Sequence, residues 1–190
     1  AGLELRDMEM LQFHPTGLVA GASALTGAVL EEGLRGAGAH LRNRLGERFM
    51  ERVDPERLER STRDVVARAS YTEIVEGRGT PGGGVLLDIS HLGPVEIERR
   101  FGEMAARTRL IGADLATGPV EVSPTAHFHM GGAVIDSDCL TAVHGLLVAG
   151  EDAGVDFVSA AVWGKPHIFR ANRQQDSPIL PCYSPRIDAE

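Results

Sequence analysis

The sequence predicts an α+β fold, and three observations carry that prediction. Val66, Ala69 and Ile74 form an apolar stripe at helical spacing behind Ser61 and Thr62. Residues 120–150 read instead as short strands joined by tight turns. The 23 glycines among 190 residues exceed the usual ~7%, and they cluster at junctions, which indicates tight turns rather than a flexible linker. No internal repeat is visible.

Taken in order, residues 8–18, MEMLQFHPTGL, predict a strand running into a turn, punctuated by Pro15 and Gly17. From Gly21 to Gly38 the chain is small and apolar, broken by Glu31, Glu32 and Arg35; a helical turn there puts Glu31 and Arg35 on one face. Leu45 to Arg60 is charged, with Gly46 marking a turn. The clearest helix starts at Ser61 or Thr62, where Ser61 and Asp64 have the spacing of a capping box, and Gly77 is its expected stop. A Gly/Pro loop at 79–84 precedes a strand at Val85–Ile89, and Pro94 opens a second helix. The last predicted strand is Gly145–Gly150. Beyond Val155 the periodicity fades, and Pro166, Pro178, Pro181 and Pro185 break any long element.

Composition limits function. Apolar residues make up 43% and charged residues 24%, which is globular rather than disordered. The net charge of −8 argues against nucleic acid as a partner, while leaving room for a locally cationic site. No run approaches the ~18 apolar residues of a membrane span. Cys139 and Cys182 lack metal-ligand spacing, so a reducing compartment is the default.

Four places could carry chemistry. His14 precedes Pro15, which favours extended backbone and a stiffly held ring; it is either a turn histidine or a ligand holder. Glu31, Glu32 and Arg35 are either a solvated ion pair worth under ~1 kcal/mol or a buried proton-conducting chain. Arg63 stands at a helix start, against the helix dipole, and is either paired with Asp64 or used chemically. His127 and His129 alternate on a strand, but no third ligand stands at metal-site spacing, so no metal is assigned.

Together these strings resemble, in order and approximate spacing, the flavoprotein subunit of succinate dehydrogenase and fumarate reductase, and the similar L-aspartate oxidase. The matching segments are MEMLQFHPTGL, LEEGLRGAGAHL with ERFM, TRDVVARA, LLDISHL, SPTAHFHMGG and GLLVAGEDAG. The resemblance implies an internal fragment: a capping, substrate-lid domain over residues 1–122 and a partial, strand-rich return into the FAD-binding domain over 123–155. It implies FAD in the full-length parent protein and a dicarboxylate substrate held by His14 and His127. It further implies that Arg63 is the acid or base at the substrate carbon, fed by Glu32 and Arg35, and that Gly150 and Glu151 lie against the flavin. An iron–sulfur subunit is the implied protein partner. The implied location is cytoplasmic or peripheral at the inner face of the cytoplasmic membrane.

Two departures stand out. Glu31 occupies the position where the family carries Thr as a further carboxylate ligand, and a second carboxylate repels a dicarboxylate unless it points away. The family's carboxylate-clamping Arg is matched only by Arg173, in a displaced Ala171-Asn172-Arg173. Residues 156–190 are accordingly expected to be atypical, either a frameshifted remnant or disordered. The rival to a flavoenzyme fragment is a non-catalytic cap remnant or interaction module, and the isolated chain is expected to be colourless and inactive.

Overall fold

The computed structural model describes residues 2–154. By contacts the chain separates into Met10–His129 and a second unit formed by Ala1–Glu9 with Met130–Glu190. The segment 156–190, with Arg173 and Cys182, lies outside the described residues.

Met10–His129 is built on a four-stranded antiparallel sheet of order β2-β5-β4-β3, with β2 at Leu11–Leu18, β3 at His40–Arg42, β4 at Val85–Asp88 and β5 at Val120–His129. One face of the sheet is covered. Val85 and Leu87 of β4 and Val120 and Val122 of β5 are buried at alternate positions, the period-two pattern of a half-buried sheet. Against them pack α3 (Arg63–Glu73), through Val66 and Ala69, and α4 (Gly93–Arg109), through Ile97, Phe101, Met104 and Ala105. Those α4 positions recur every three to four residues, as an amphipathic helix requires. Two short helices, α1 (Glu32–Gly36) and α2 (Met50–Val53), add Leu34 and Met50 to the same core.

The described part of the second unit is small. Strand β1 (Leu5–Arg6) pairs antiparallel with β6 (Gly132–Ala133), and Ala133 bridges Ala153 in parallel. The mixed composition of helix and strand agrees with the α+β prediction. Among the described residues no helix is long and apolar enough to cross a membrane.

Several local expectations are corrected. The capping box does not form: Thr62 is the N-cap of α3, its hydroxyl donates to Asp64 Oδ1 at 2.6 Å, and the Ser61 hydroxyl donates to Asp54 Oδ2 at 2.5 Å. The short polar side chains find each other rather than the helix's first N–H groups. Glu31 is the N-cap of α1, so Glu32 and not Glu31 shares a face with Arg35. Gly145–Gly150 is not a strand. Its ladder is limited to a bridge between Leu140 and Leu147, and without a partner strand an extended segment does not satisfy its backbone groups. Conversely β5 is one ten-residue strand, longer than the short pieces expected. The contact boundaries between the two units fall between Glu9 and Met10 and between His129 and Met130.

Candidate functional site

The pairing of β2 with β5 shapes the site. Leu11 opposes His129 and Gln12 opposes Phe128, but Phe13 opposes Ala126 and His14 opposes Thr125; at Gly17 and Leu18, opposite Ser123 and Val122, the original register returns. His127 is the extra residue of the first bulge, and Pro15–Thr16 supply the second. Pro15 has no N–H to give a ladder, and a bulge is where a strand tolerates proline. Such bulges re-aim side chains, and here they bring the His14 and His127 rings edge to face, with centroids 5.1 Å apart and planes at 69°.

His14 is 2% exposed. The Thr16 N–H donates to its Nδ1 at 3.3 Å, while the Thr16 hydroxyl, 3.1 Å from the same nitrogen, donates to the Leu30 carbonyl oxygen at 2.6 Å. Nδ1 is thus the acceptor, and the proton of the neutral ring sits on Nε2. Burial, then the electrostatic influence of Arg63, His127 and Arg35, lowers its pKa from 6.5 to about 4, with Glu32 opposing. His14 is neutral at pH 7.

The first residue of α3, Arg63, reaches across to α1. Its Nε and Nη2 donate to Glu32 Oε2 at 3.0 and 2.9 Å, and its Nη1 donates to Gln12 Oε1 on β2 at 3.1 Å. Arg63 therefore pairs with Glu32, whereas Asp64 is bound by Arg68. The other Glu32 oxygen lies 3.1 Å from Arg35 Nη2. Burial favours the neutral Glu32 acid, but the Arg63 hydrogen bond and the charges of Arg35 and Arg63 outweigh it and hold the carboxyl below its usual range. Arg35 is 1% exposed. Its Nη1 donates to the carbonyl oxygens of Glu59 and Ser61 at 2.6 and 3.3 Å, while its Nε has no hydrogen-bond partner among the described residues. Burial pulls this guanidinium below its ordinary pKa, with Glu32 acting against it. Desolvation and a cationic neighbour make its proton less tightly held.

Underneath lies a support that the sequence reading missed. Glu59, 2% exposed, accepts both Arg48 Nε and Nη2 at 2.9 and 2.6 Å and the Leu41 N–H at 3.0 Å. Its side chain is thereby fixed while its carbonyl holds Arg35. Gln12 was also missed; it stands two residues before His14, on the same strand face, so period-two spacing contained the signal.

The expected residues fall into three groups. His14, Glu32, Arg35, Arg63 and His127 belong to one unit and one charged neighbourhood. Glu31 is exposed at the α1 N-cap, where its main-chain N–H donates to Met104 Sδ at 3.3 Å; its carboxylate is in no ion pair among the described residues. Gly150 and Glu151 lie in the second unit, in a single turn at Gly150–Asp152. An open cavity of about 640 Å³ elsewhere in Met10–His129 sets Arg52, Arg68 and Arg78 against Glu47, Glu73 and Glu76, a balanced set with no net pull on a charged ligand.

A glycine run with dinucleotide-fingerprint spacing is present but does not form a phosphate cradle. Gly77, Gly79 and Gly82 repeat the G-x-G-x-x-G spacing, but they lead from α3 into β4, whereas a dinucleotide fingerprint leads from strand into helix. The Glu121 carboxylate fills that loop, taking the Thr80 hydroxyl and lying where a Gly82 side chain would be. An anion there excludes phosphate. Gly150, by contrast, has a φ of 79° with open space beside it, and Glu151 is exposed.

The family model described as FAD binding domain matches residues 1–161. A CoM/CoB fumarate reductase chain from Methanothermobacter marburgensis is 51% identical over 154 residues, covering 81% of this chain and 28% of its own length. L-Aspartate oxidase of Synechocystis is 37% identical over 183 residues, covering 96% of this chain and 31% of its own. Among solved structures, a chain of E. coli quinol fumarate reductase superposes with a TM-score of 0.73 at 35% identity, covering 83% of this chain and 29% of that one. The chain thus spans less than a third of the length of these relatives. It belongs to the FAD-binding-domain family, among whose members are the flavoprotein subunits of fumarate reductase and succinate dehydrogenase and L-aspartate oxidase.

Proposed function

We propose that Met10–His129 is the substrate-capping unit of an FAD-dependent oxidoreductase that interconverts succinate and fumarate, or oxidises a similar dicarboxylate. The observation that supports it best is the file of ion pairs Arg63–Glu32–Arg35 beside a neutral His14 of fixed tautomer. Two guanidinium groups around one carboxylate leave a net positive charge, which suits an anionic substrate. The Nε2–H of His14 is a donor for one substrate carboxylate, and His127, in contact with it, for another. Arg63 gives or takes the proton at the substrate carbon, Glu32 carries it between the two arginines, and Arg35 stores it in a buried setting that weakens its hold. Flavin, when bound, supplies the hydride chemistry, and Gly150 and Glu151 in the returning edge of the FAD-binding domain would hold its rim. An iron–sulfur subunit is the expected electron partner, and the assembly belongs in the cytoplasm or at the inner face of its membrane.

The test uses the full-length flavoprotein carrying this segment. It should be yellow, should bleach or recolour with dicarboxylate and dye, and should lose about 10³-fold in kcat on Arg63→Ala. A yellow protein inert toward every dicarboxylate, or an Arg63→Ala variant with full activity, would sink the assignment. A colourless full-length protein supports a non-catalytic cap instead. The 190-residue chain alone should be colourless and inactive.

A further inference from the structure

We infer that Gln12 is a positioning residue for Arg63, and that its amide oxygen fixes the plane of the guanidinium from which the proton is exchanged. The inference rests on the capping-unit reading for its chemical meaning, but its geometry stands independently. Arg63 Nε and Nη2 both donate to one atom, Glu32 Oε2, at 3.0 and 2.9 Å. A fork that closes on a single oxygen secures one edge of the group while leaving the plane able to swing about that oxygen. The third bond, Nη1 to Gln12 Oε1 at 3.1 Å, comes from a different element, β2 rather than α1. Two anchors on two elements define the plane. Arginine has only donors, so the amide must turn its oxygen and not its nitrogen toward Arg63.

Gln12 is well placed to act as a fixed point. It is half-buried on β2, paired with Phe128, and sits immediately before the bulge that carries His127. Two residues on, and on the same face, stands His14, whose ring is locked by Thr16. The strand therefore presents one group that would orient the substrate and one that orients the proton donor, at a spacing set by the backbone. Small misplacements of a reacting group are costly, up to about 10²-fold in rate for roughly 1 Å, so an orienting contact of this kind appears in kcat.

The experiment compares Gln12→Met, which keeps length but replaces the amide oxygen by a weakly accepting sulfur, with Gln12→Glu, which keeps an acceptor oxygen at the same reach. In the full-length flavoprotein, Gln12→Met should lower kcat about tenfold with KM changed less than about twofold, and Gln12→Glu should keep kcat within about threefold of the parent. Equal losses in both variants, or none in Gln12→Met, overturn the inference, because a packing role does not distinguish the two. In parallel, nitrogen-15 NMR of the 190-residue chain should show restricted rotation of the Arg63 Nη1 group, lost in Gln12→Met and retained in Gln12→Glu. Free rotation in the unsubstituted chain also overturns it. If the unsubstituted full-length protein proves inert toward dicarboxylates while the NMR contrast holds, the capping-unit reading fails and the Gln12–Arg63 contact stands.

Discussion

Replacing His14 by Asn should make the protein less sensitive to acid, and the size of the effect follows from its burial. The folded pKa of His14 is about 4 against 6.5 for the free side chain. As pH falls through 6.5 the unfolded chain takes up a proton that the folded one refuses, so stability is lost between pH 6.5 and about 4 and is level below that. At 1.36 kcal/mol per pKa unit the loss is about 3 kcal/mol, or roughly 6–12 °C in Tm for a chain of this size. An Asn keeps an acceptor for the Thr16 N–H but does not titrate. Urea unfolding of both proteins from pH 7 to 4 isolates the contribution of His14, because carboxylates shared by the two cancel in the difference. The unsubstituted protein should lose about 3 kcal/mol more than His14→Asn. Parallel stability curves, or a larger loss in the variant, would show that His14 is not held neutral by burial and by Arg63.

Three further outcomes are expected. Glu59→Ala strands the buried side of Arg48 and frees the Leu41 N–H, and should cost about 3–5 kcal/mol in urea unfolding, with Glu59→Gln, which retains an acceptor, milder. Glu32→Gln in the full-length flavoprotein interrupts the file between Arg63 and Arg35, and should lower kcat for fumarate or succinate about 10²-fold or more with little change in KM; an equal effect confined to KM would point to binding instead. Glu31→Thr removes an exposed anion beside the site and should lower KM for a dicarboxylate several-fold, since unit charges ~4–8 Å apart at surface dielectric interact by roughly 2–4 kcal/mol before salt screening; an unchanged KM would mean that Glu31 points away from the substrate.

What was legible in the sequence was local. The α3 stripe of Val66 and Ala69 and the Pro94 helix start each depend on spacing within a few residues. The turn expected at Pro15 and Gly17 is instead a bulge inside β2, and α3 ends at Glu73 and passes into a π-helical turn at Ile74–Arg78 that contains the expected stop, Gly77. The cluster of His14, Glu32, Arg35 and Arg63 was legible because its strings carry a family resemblance. Spacing by itself paired Glu31 with Arg35 and Arg63 with Asp64, since it cannot place a helix start to one residue or choose between competing carboxylates. The support beneath was not legible for the same reason. Glu59 meets Arg48 and Leu41 across loops, and neither partner has a periodic relation to it. The strand at Gly145–Gly150 failed because apolar residues and a glycine describe a strand's chemistry but do not supply its neighbour.

The paired bulges of β2 and β5 also constrain how this gene can change length. Phe13 and His14 alone run one notch out of step, as on a vernier, and the scale is reset at Gly17. Losing His127 would close the first notch and leave the second uncancelled, sending the Gly17 end of β2 to the wrong face against β5. A matching loss at Pro15 or Thr16 would realign the strands but remove the offset that turns the two imidazoles toward each other. Drift by insertion or deletion in these strands is therefore tolerated in neither single steps nor compensated pairs. Length variation among descendants should be found in the turns at 20–28 and 79–84 instead, which makes the strand lengths a usable ruler for aligning distant copies of this unit.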